Sequence, residues 1–556
     1  MQDNRKYFGV MLDMSRNGVM KVEEVKKYAA LIAKMGYNML QLYMEDVYEI
    51  EGEPYFGYLR GRYTQKELKE IVEYCEGIGV EVVPCIQTLA HLENPLRWKV
   101  YGDIVDSAGI LLAEDERTYE FIESMFKTLR GCFTSKHIHI GMDEAFMLGL
   151  GRYLDIHGYQ NRVDILRKHL DRVMQIAKKY DFKPLMWSDM FFRLANNGQY
   201  YPENPQLPQE VVKTIPKDLG IVYWDYFTND KEYYKKMMEA HLQAGDNVWF
   251  AGGAWTWAGF ASGNSLAIET MQLAMQAASE CGINNILFTL WGDFGRECSY
   301  YSVLPALFTI RKMYDGITDM DQIRKEFKEI VGEDYDAMMN LDLPNYVGGN
   351  KCVMSNICKQ MFYNDPFLGV LDSTVMPGVE EEYKAHAKTL LENAKGSQFA
   401  YLFEKLSALC DVMSIKYSLG VRTRKAYKEK NREQLTILVD DYGKVLEYLE
   451  IFYEKFKVFW DKECKPNGFE VHDIRMGGLK QRIMHCRQRL VDYLNGTIDE
   501  IPELDEEILD YHGRGKGFSA KRITETDNLY YTDYNAYKDR PPYLTGWSGI
   551  AGITTI

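Results

Sequence analysis

The fold is decided by the stretch His137-Ile138-His139-Ile140-Gly141-Met142-Asp143-Glu144. Its β-branched residues at every second position before the glycine predict a short buried strand, which we place at His137–Gly141. The strand ends abruptly in two adjacent carboxylates, and Ala145 begins a predicted loop. Because adjacent acids repel each other, their site must supply hydrogen bonds or raise one pKa, as acid catalysis at neutral pH requires. The alternative is a solvated strand end, where acidic pairs are common.

The same strand belongs to a pattern of strand and helix that repeats eight times between Tyr7 and about Ile310. Most of the predicted strands are short apolar runs without alternation, which is typical of strands buried on both faces. Besides the one above, they are Tyr7–Asp13, Met39–Met44, Glu81–Ile86, Lys183–Ser188, Leu219–Trp224, Asn247–Ala251 and Asn285–Leu290.

Amphipathic helical segments separate these strands. Thr64-Gln65-Lys66-Glu67 has the spacing of a capping box at the start of one of them. Eight βα units in about 300 residues predict a (β/α)8 barrel. A doubly wound open sheet is the alternative, but it often has a glycine-rich phosphate turn after its first strand, and Leu12-Asp13-Met14-Ser15-Arg16 has no glycine. The predicted helices are Val22–Lys34, Glu67–Glu76, Asp115–Leu129, Arg162–Lys179, Asp230–Ala244 and Ser265–Glu280.

Active sites of such barrels lie at the carboxyl ends of the strands, so the residues that follow each strand are the candidates. Five of the nine Trp residues fall there, beside several acids and one Arg. Indole rings pack on the apolar face of a pyranose, and charged groups bind its hydroxyls, so these residues predict a sugar pocket. Packing between barrel and helices is the alternative for the tryptophans. The candidates in chain order are Asp13, Arg16, Glu45, Asp46, His91, Asp143, Glu144, Trp187, Asp189, Trp224, Asp225, Tyr226, Trp255, Trp257, Trp291 and Asp293.

Composition narrows the class of protein. The 556 residues are 46% hydrophobic and 26% charged, with a net charge of −15 and no long basic run. This argues against nucleic acid or an anionic membrane as a partner. The polar start Met1–Lys6 lacks the apolar core of a signal peptide, and the ten cysteines include no CxxC pair. We therefore expect reduced thiols, a cytoplasmic protein, and neither metal nor cofactor.

From about Gly316 strand patterns give way to helical ones, with apolar residues at i, i+3, i+4 spacing. The predicted domains are a barrel over 1–312, a helical domain over 313–515, and an extended segment over 516–556. A homodimer formed through the helical domain is a further expectation. The long helices predicted in it are Glu380–Asn393, Gln398–Leu419, Glu433–Phe459 and Leu479–Leu494.

The motifs together resemble glycoside hydrolase family 20, the β-N-acetylhexosaminidases. His139-Ile140-Gly141-Met142-Asp143-Glu144 is similar to the family's His-x-Gly-x-Asp-Glu signature at the fourth strand. Leu12–Arg16 looks like its first-strand motif, and Val83–His91 like its third-strand segment. Similar segments later in the chain contain its pocket tryptophans, Trp187, Trp224 and Trp291. The resemblance spans roughly residues 7–310.

Several positions depart from the family pattern. The third-strand segment has Cys85 and Gln87 where Glu and Asp are usual, and Asp293 stands where Glu is usual. The seventh strand lacks the Tyr that binds the acetamido carbonyl, for which Tyr226 is our substitute. The chain also begins almost at the first strand, without the α/β domain that many members have. These differences indicate a divergent, bacterial-looking branch.

The resemblance implies a retaining, exo-acting β-N-acetylhexosaminidase whose substrate is a sugar or oligosaccharide with terminal GlcNAc or GalNAc. In this scheme the acetamido oxygen of the substrate attacks the anomeric carbon and forms an oxazolinium intermediate, an exception to the usual pair of carboxylates. Glu144 is then the general acid and base, and Asp143 accepts the acetamido N–H. Arg16, Asp225 and Asp293 bind hydroxyls, the aromatic residues shape the pocket, and Asp13, Glu45 and Asp46 support it.

Two other functions remain open at this point. The first is a catalytically inactive carbohydrate-binding barrel that uses the same tryptophans. The second is a metal-dependent hydrolase barrel with His139, His91 and Asp143 as ligands.

Overall fold

The computed structural model describes residues 6–349 and 357–510. Eight parallel strands form a closed barrel in chain order, with the last strand paired to the first, which confirms the (β/α)8 prediction. An antiparallel hairpin, Val105–Ser107 and Ile110–Leu111, lies outside the barrel. The barrel strands are β1 Tyr7–Asp13, β2 Met39–Met44, β3 Glu81–Ile86, β4 His137–His139, β5 Lys183–Trp187, β6 Gly220–Trp224, β7 Val248–Gly253 and β8 Asn285–Leu290.

Strand β4 is two residues shorter than predicted. Gly141 and Met142 both have a φ of +69°, which turns the chain out of the sheet before the acidic pair. As a result, β3 and β4 share only one registered pair, Cys85 with His139. The short strand therefore frees the acidic pair from the sheet, so that hydrogen bonds from side chains can fix it.

Helices surround the barrel and continue beyond it. The capping box at the start of α2 is present, because Oγ1 of Thr64 accepts from the N–H of Glu67 at 3.1 Å and Glu67 accepts from the N–H of Thr64 at 2.8 Å. The α-helices are α1 Val22–Lys34, α2 Gln65–Gly77, α3 Glu93–Leu96, α4 Glu116–Arg130, α5 Arg152–His157, α6 Arg162–Lys179, α7 Asp189–Ala195, α8 Gln209–Val212, α9 Lys231–Ala244, α10 Asn264–Cys281, α11 Leu304–Tyr314, α12 Met320–Val331, α13 Tyr335–Met339, α14 Ile357–Tyr363, α15 Val379–Asn393, α16 Ala400–Lys416, α17 Leu419–Lys428, α18 Arg432–Glu463, α19 Phe469–Leu494 and α20 Pro502–Asp505. Short 3-10 turns lie at Lys99–Ile104, Tyr300–Val303, Asn340–Asn345 and Asp372–Thr374.

The second half of the described chain is helical, as predicted, with two differences. The predicted helix Gln398–Leu419 corresponds to α16, which ends at Lys416, and a further helix that was not predicted, α17, begins at Leu419. Helix α19 begins ten residues earlier than predicted and runs through Gly477-Gly478, because its first turns are buried and packing outweighs the low helix propensity of glycine.

The helical half packs directly on the barrel. The N–H of Lys21 donates to the carbonyl of Glu463 at 2.9 Å, and the N–H of Lys465 donates to the carbonyl of Val19 at 2.7 Å. These bonds join the loop after β1 to the end of α18. The predicted boundary at residues 312 and 313 falls inside α11, and the division into domains stays a prediction. The predicted extended segment 516–556 lies outside the described residues.

Candidate active site

The chain leaves β4 through a turn that carries both acids. Gly141, Met142 and Glu144 all have positive φ, and a Cβ on Gly141 would lie 2.1 Å from Oε1 of Gln87. That oxygen accepts from the N–H of Met142 at 3.1 Å, and Oδ2 of Asp189 accepts from the N–H of Glu144 at 3.0 Å. Two buried polar side chains therefore hold the acids in a backbone conformation that residues other than glycine seldom adopt.

Asp143 is the inner acid of the pair. Its Oδ1 accepts from Nε2 of Gln87 at 2.7 Å, and its Oδ2 lies 3.2 Å from Nε2 of His91. Burial alone would raise the pKa of Asp143, but the charge of His91 and the hydrogen bonds from His91 and Gln87 lower it to about 2. Burial alone would lower the pKa of His91, but Asp143 raises it to about 10. The two residues thus form an ion pair at neutral pH.

Glu144 is the outer acid, and its pKa is shifted in the opposite direction to that of Asp143. Its side chain is 35% exposed, against 13% for Asp143. Burial is the main cause that raises the pKa of Glu144, and the charge of Asp143 adds to it. His91 at 3.7 Å and Arg193 at 3.5 Å act against this rise without cancelling it. One acid is therefore kept ionised while its neighbour is shifted toward the protonated form.

Asp189 and Arg193 lie on α7 behind the outer acid. Nε of Arg193 donates to Oδ2 of Asp189 at 2.9 Å, and burial together with the charge of Asp143 raises the pKa of Asp189 to about 7. Asp189 is one of the predicted strand-end residues, whereas Arg193 is missing from the predicted site. The signal was their i, i+4 spacing, which has meaning only once the helix that follows β5 is known.

Arg16 lies on the opposite side of the acids and is held between two carboxylates. It forms an ion pair with Glu45, and its Nε lies 3.7 Å from Oδ1 of Asp293. The hydroxyl of Tyr43 donates to Glu45 at 3.0 Å and accepts from Nε2 of Gln87 at 3.0 Å. A chain of polar contacts therefore links Arg16 to the inner acid through Tyr43 and Gln87, two residues missing from the predicted site.

Aromatic side chains form a wall beside these polar groups. Nε1 of Trp291 donates to the hydroxyl of Tyr226 at 3.0 Å, and Trp224 stacks on Tyr226 with ring centres 5.4 Å apart. Trp291 also lies 6.2 Å from Trp187, measured between ring centres. Trp224 and Trp291 are partly exposed, while Trp187 and Tyr226 are buried. The structure thus brings together four of the six predicted aromatic residues.

The other two, Trp255 and Trp257, form a second layer. They stack on each other with ring centres 4.3 Å apart, and both are buried. Nε1 of Trp255 donates to the carbonyl of Tyr226 at 3.2 Å, and Trp257 packs edge-on against the Tyr226 ring. Their contacts support the wall from behind, which is the packing role that the sequence left open for some tryptophans.

Three predicted acids are held by other groups of the protein. Asp13 accepts from the N–H of Gly292 at 2.9 Å and so joins the loops after β1 and β8. Asp46 forms an ion pair with Arg60 at 3.3 Å. Asp225 is buried and accepts hydrogen bonds from three residues of its own segment. Asp13 and Asp46 were predicted to support the pocket and Asp225 to bind hydroxyls of the sugar. Their contacts lie within the protein, and all three roles stay predictions.

His139 faces the barrel interior. Its Nδ1 accepts from the N–H of Gly141 at 3.1 Å, its ring lies 4.2 Å from that of Trp187, and burial lowers its pKa to about 3. His139 therefore braces the turn as a neutral ring. Within residues 6–349 and 357–510, no three His, Cys, Asp or Glu side chains are grouped so that they could hold a metal ion.

Two family models match the chain. "Glycosyl hydrolase family 20, catalytic domain" matches residues 6–253, which include β1 to β7 and the acidic pair. "Glycoside Hydrolase 20C C-terminal domain" matches residues 333–522. The two matches do not overlap, and together they cover most of the 556 residues.

Curated relatives are distant and longer than the region they share with the chain. Hexosaminidase D of Homo sapiens is 24% identical over 310 residues, which are 51% of this chain and 60% of that protein. A beta-hexosaminidase of Akkermansia muciniphila is 25% identical over 169 residues, 25% of this chain and 34% of that protein. The chain thus matches less than two thirds of the length of these relatives. No described helix has both the length and the apolar character needed to cross a membrane.

Both family models describe glycoside hydrolase family 20. The model of the catalytic domain matches the part of the chain that forms β1 to β7 of the barrel. The turn that ends β4 has the family signature, with the acids held by Gln87, His91 and Asp189. On these grounds the chain belongs to glycoside hydrolase family 20.

Proposed function

We propose that the protein is an exo-acting β-N-acetylhexosaminidase that removes terminal β-linked GlcNAc or GalNAc with retention of configuration. The observation that carries the proposal is that the pKa values of two adjacent acids are shifted in opposite directions. His91 and Gln87 keep Asp143 ionised, while burial raises the pKa of Glu144. Adjacent residues are poorly placed to flank an anomeric carbon as an acid and a nucleophile about 5 Å apart. Family 20 is an exception to that two-carboxylate scheme, and membership of it implies that the substrate supplies the attacking atom.

In the proposed reaction, Glu144 gives its proton to the leaving oxygen as the bond to the anomeric carbon breaks. The acetamido oxygen of the substrate attacks that carbon, and Asp143 accepts the acetamido N–H and stabilises the positive charge that develops. Glu144, now ionised, takes a proton from the water that opens the oxazolinium ring. This second step restores the acid and gives net retention.

The other contacts of the sugar follow from the placement of the remaining side chains. Arg16 and Asp293, which face each other, are proposed to bind hydroxyls. Trp224 and Trp291 are partly exposed and would enclose the N-acetyl group. Tyr226, whose hydroxyl is fixed by Trp291, is our candidate donor to the acetamido carbonyl.

A panel of chromogenic glycosides tests this proposal. We expect wild-type protein to cleave the aryl glycosides of β-GlcNAc or β-GalNAc and to leave the β-glucoside intact, because only the former supply an acetamide. Glu144→Gln keeps the size of the side chain but has no proton to give, so it should lose most of the turnover. Equal cleavage of the β-glucoside would contradict the proposal, and binding without turnover would favour a sugar-binding barrel.

We also infer that two copies associate through the helical half, as the sequence analysis expected. Exposed Ile437, Ile451 and Val458 recur on α18 at multiples of seven residues, so they lie along one face. Light scattering should give twice the mass of one chain, and Ile451→Lys should reduce it to that of a monomer. A monomeric wild type would contradict this inference. The predicted cytoplasmic location stays a prediction.

A further inference from the structure

Phe146 follows the acidic pair at once, and its ring is unusually open to solvent for a residue so near the site. It is 51% exposed, whereas the side chains of Glu144 and Asp143 are 35% and 13% exposed. The exposed fraction is thus higher for Glu144 than for Asp143 and higher again for Phe146, while Ala145 between the last two is buried. The chain segment 143–146 leads from the floor of the site to the surface.

The position of this ring is fixed by neighbouring groups. The N–H of Phe146 donates to the carbonyl of Glu144 at 2.6 Å, so the backbone turns tightly between the two residues. The guanidinium of Arg162 donates to the carbonyls of Ala145, Phe146 and Leu148 and anchors the loop from below. An exposed aromatic ring on an anchored loop is preorganised to receive a ligand.

Arg193 occupies one face of the ring. Its guanidinium carbon lies 4.9 Å from the ring centre of Phe146, and the same guanidinium lies 3.5 Å from Oε1 of Glu144. The cation–π contact orients the ring and brings it beside the carboxyl that would protonate the leaving group. The half-exposed ring therefore has a second face that can receive a ligand.

From these contacts we infer that Phe146, held by Arg193, forms the binding site for the sugar on the leaving side of the scissile bond. The inference rests on the proposed function, in which the oxygen protonated by Glu144 belongs to the leaving group. A group attached to that oxygen passes outward along the turn and meets the free face of Phe146. The ligand is a pyranose, because its C–H face packs on an aromatic ring while its hydroxyls remain in water.

The test compares two substrates that share the same terminal sugar. One is a β-linked disaccharide of N-acetylglucosamine, and the other is β-N-acetylglucosaminyl azide, whose leaving group is too small to reach the ring. For Phe146→Ala we expect the ratio of kcat/KM, disaccharide over azide, to fall about tenfold, as for the loss of one aromatic stacking contact. Phe146→Tyr keeps the ring and should keep the ratio.

Met147→Ala is the matched control, because Met147 is the next residue of the loop and is 49% exposed. Its ratio should equal that of wild type. An unchanged ratio for Phe146→Ala, or an equal fall for Met147→Ala, would overturn the inference while leaving the proposed function intact. If wild-type protein cleaves neither substrate, the proposed function itself fails.

Discussion

At the scale of single residues, one imidazolium controls two acids. His91 lies 3.2 Å from Asp143 and 3.7 Å from Glu144, and its positive charge lowers the pKa of both. Activity in the proposed reaction needs Asp143 ionised and Glu144 protonated. The acidic limb of the pH profile then belongs to Asp143 and the basic limb to Glu144.

Replacing His91 by Gln should move both limbs of the kcat/KM profile to higher pH. Without the charge, the pKa of Asp143 rises from about 2, so activity is lost earlier as the pH falls. The pKa of Glu144 rises too, so activity persists to higher pH. His137→Gln is the control, because His137 also faces a carboxylate, Glu81 at 3.0 Å, but at the opposite end of β4. Limbs that stay in place in the His91 variant would contradict this assignment.

Arg193→Gln should move one limb only. Arg193 lowers the pKa of Glu144 and is not among the main groups that set the pKa of Asp143. We expect the basic limb of the kcat/KM profile to move to higher pH while the acidic limb stays at the same pH. The surface pair of Arg172 with Glu116 offers a control variant, Arg172→Gln, with no effect on either limb. A shift of the acidic limb in Arg193→Gln would show that its effect is not confined to the outer acid.

At the scale of elements, α19 holds the loop that carries Trp291 and Asp293. Nε2 of His472 lies 2.9 Å from the carbonyl of Gly295, and Arg475 donates to the carbonyl of Phe294. These two carbonyls belong to a segment in which Phe294, Gly295 and Arg296 all have positive φ. The helical half thus stabilises one wall of the site in a strained backbone conformation.

Arg475→Gln should therefore affect substrate binding as well as stability. Removing one partner of a buried, charge-assisted contact costs about 2–3 kcal/mol of unfolding free energy. We expect KM to rise, because the loop with Asp293 loses its support. Lys480→Gln, on the exposed face of the same helix and paired with Glu450, should change neither KM nor stability. An unchanged KM in Arg475→Gln would mean that the loop holds its shape without α19.

The elements also show which features the sequence could predict. Four barrel strands and helices α1 and α6 have the predicted ends, because buried apolar runs and amphipathic periodicity are local signals. The partner of His91, the role of Arg193 and the early start of α19 depend on contacts between distant segments. No local sequence signal identifies Gln87 as a hydrogen-bond donor to Asp143, because their contact joins the ends of β3 and β4. The acids and His91 were found from local sequence, whereas Gln87 and Arg193, which also set the pKa values of the acids, were not.

At the scale of the whole molecule, barrel and helical half share buried charges. Glu463 at the end of α18 is fully buried and accepts from the hydroxyl of Tyr401 at 2.9 Å, and its Oε2 lies 3.6 Å from Arg296 of the loop after β8. Burial raises the pKa of Glu463, while Arg296 acts against the rise. An ion pair across this junction ties the stability of the two halves together.

We expect the protein to unfold in one cooperative transition. Glu463→Ala leaves Arg296 buried without its partner and should lower the unfolding free energy of the whole transition by about 3–5 kcal/mol. Glu450→Ala, at an exposed position of the same helix, should lower it by less than about 1 kcal/mol. Calorimetry of wild type and both variants checks this. Two separate transitions, with only one of them shifted in Glu463→Ala, would show that the halves unfold independently.

The proposed reaction requires the substrate to supply the attacking atom, Asp143 to be ionised and Glu144 to carry the proton at its start. Its most direct test is the rate of hydrolysis of aryl glucosaminides whose N-acetyl group carries none, one, two or three fluorine atoms. Each fluorine weakens the nucleophilicity of the acetamido oxygen, so we expect kcat to fall steeply at every step of the series. A kcat that stays level across the four substrates would show that the acetamide takes no part in the attack and would contradict the account.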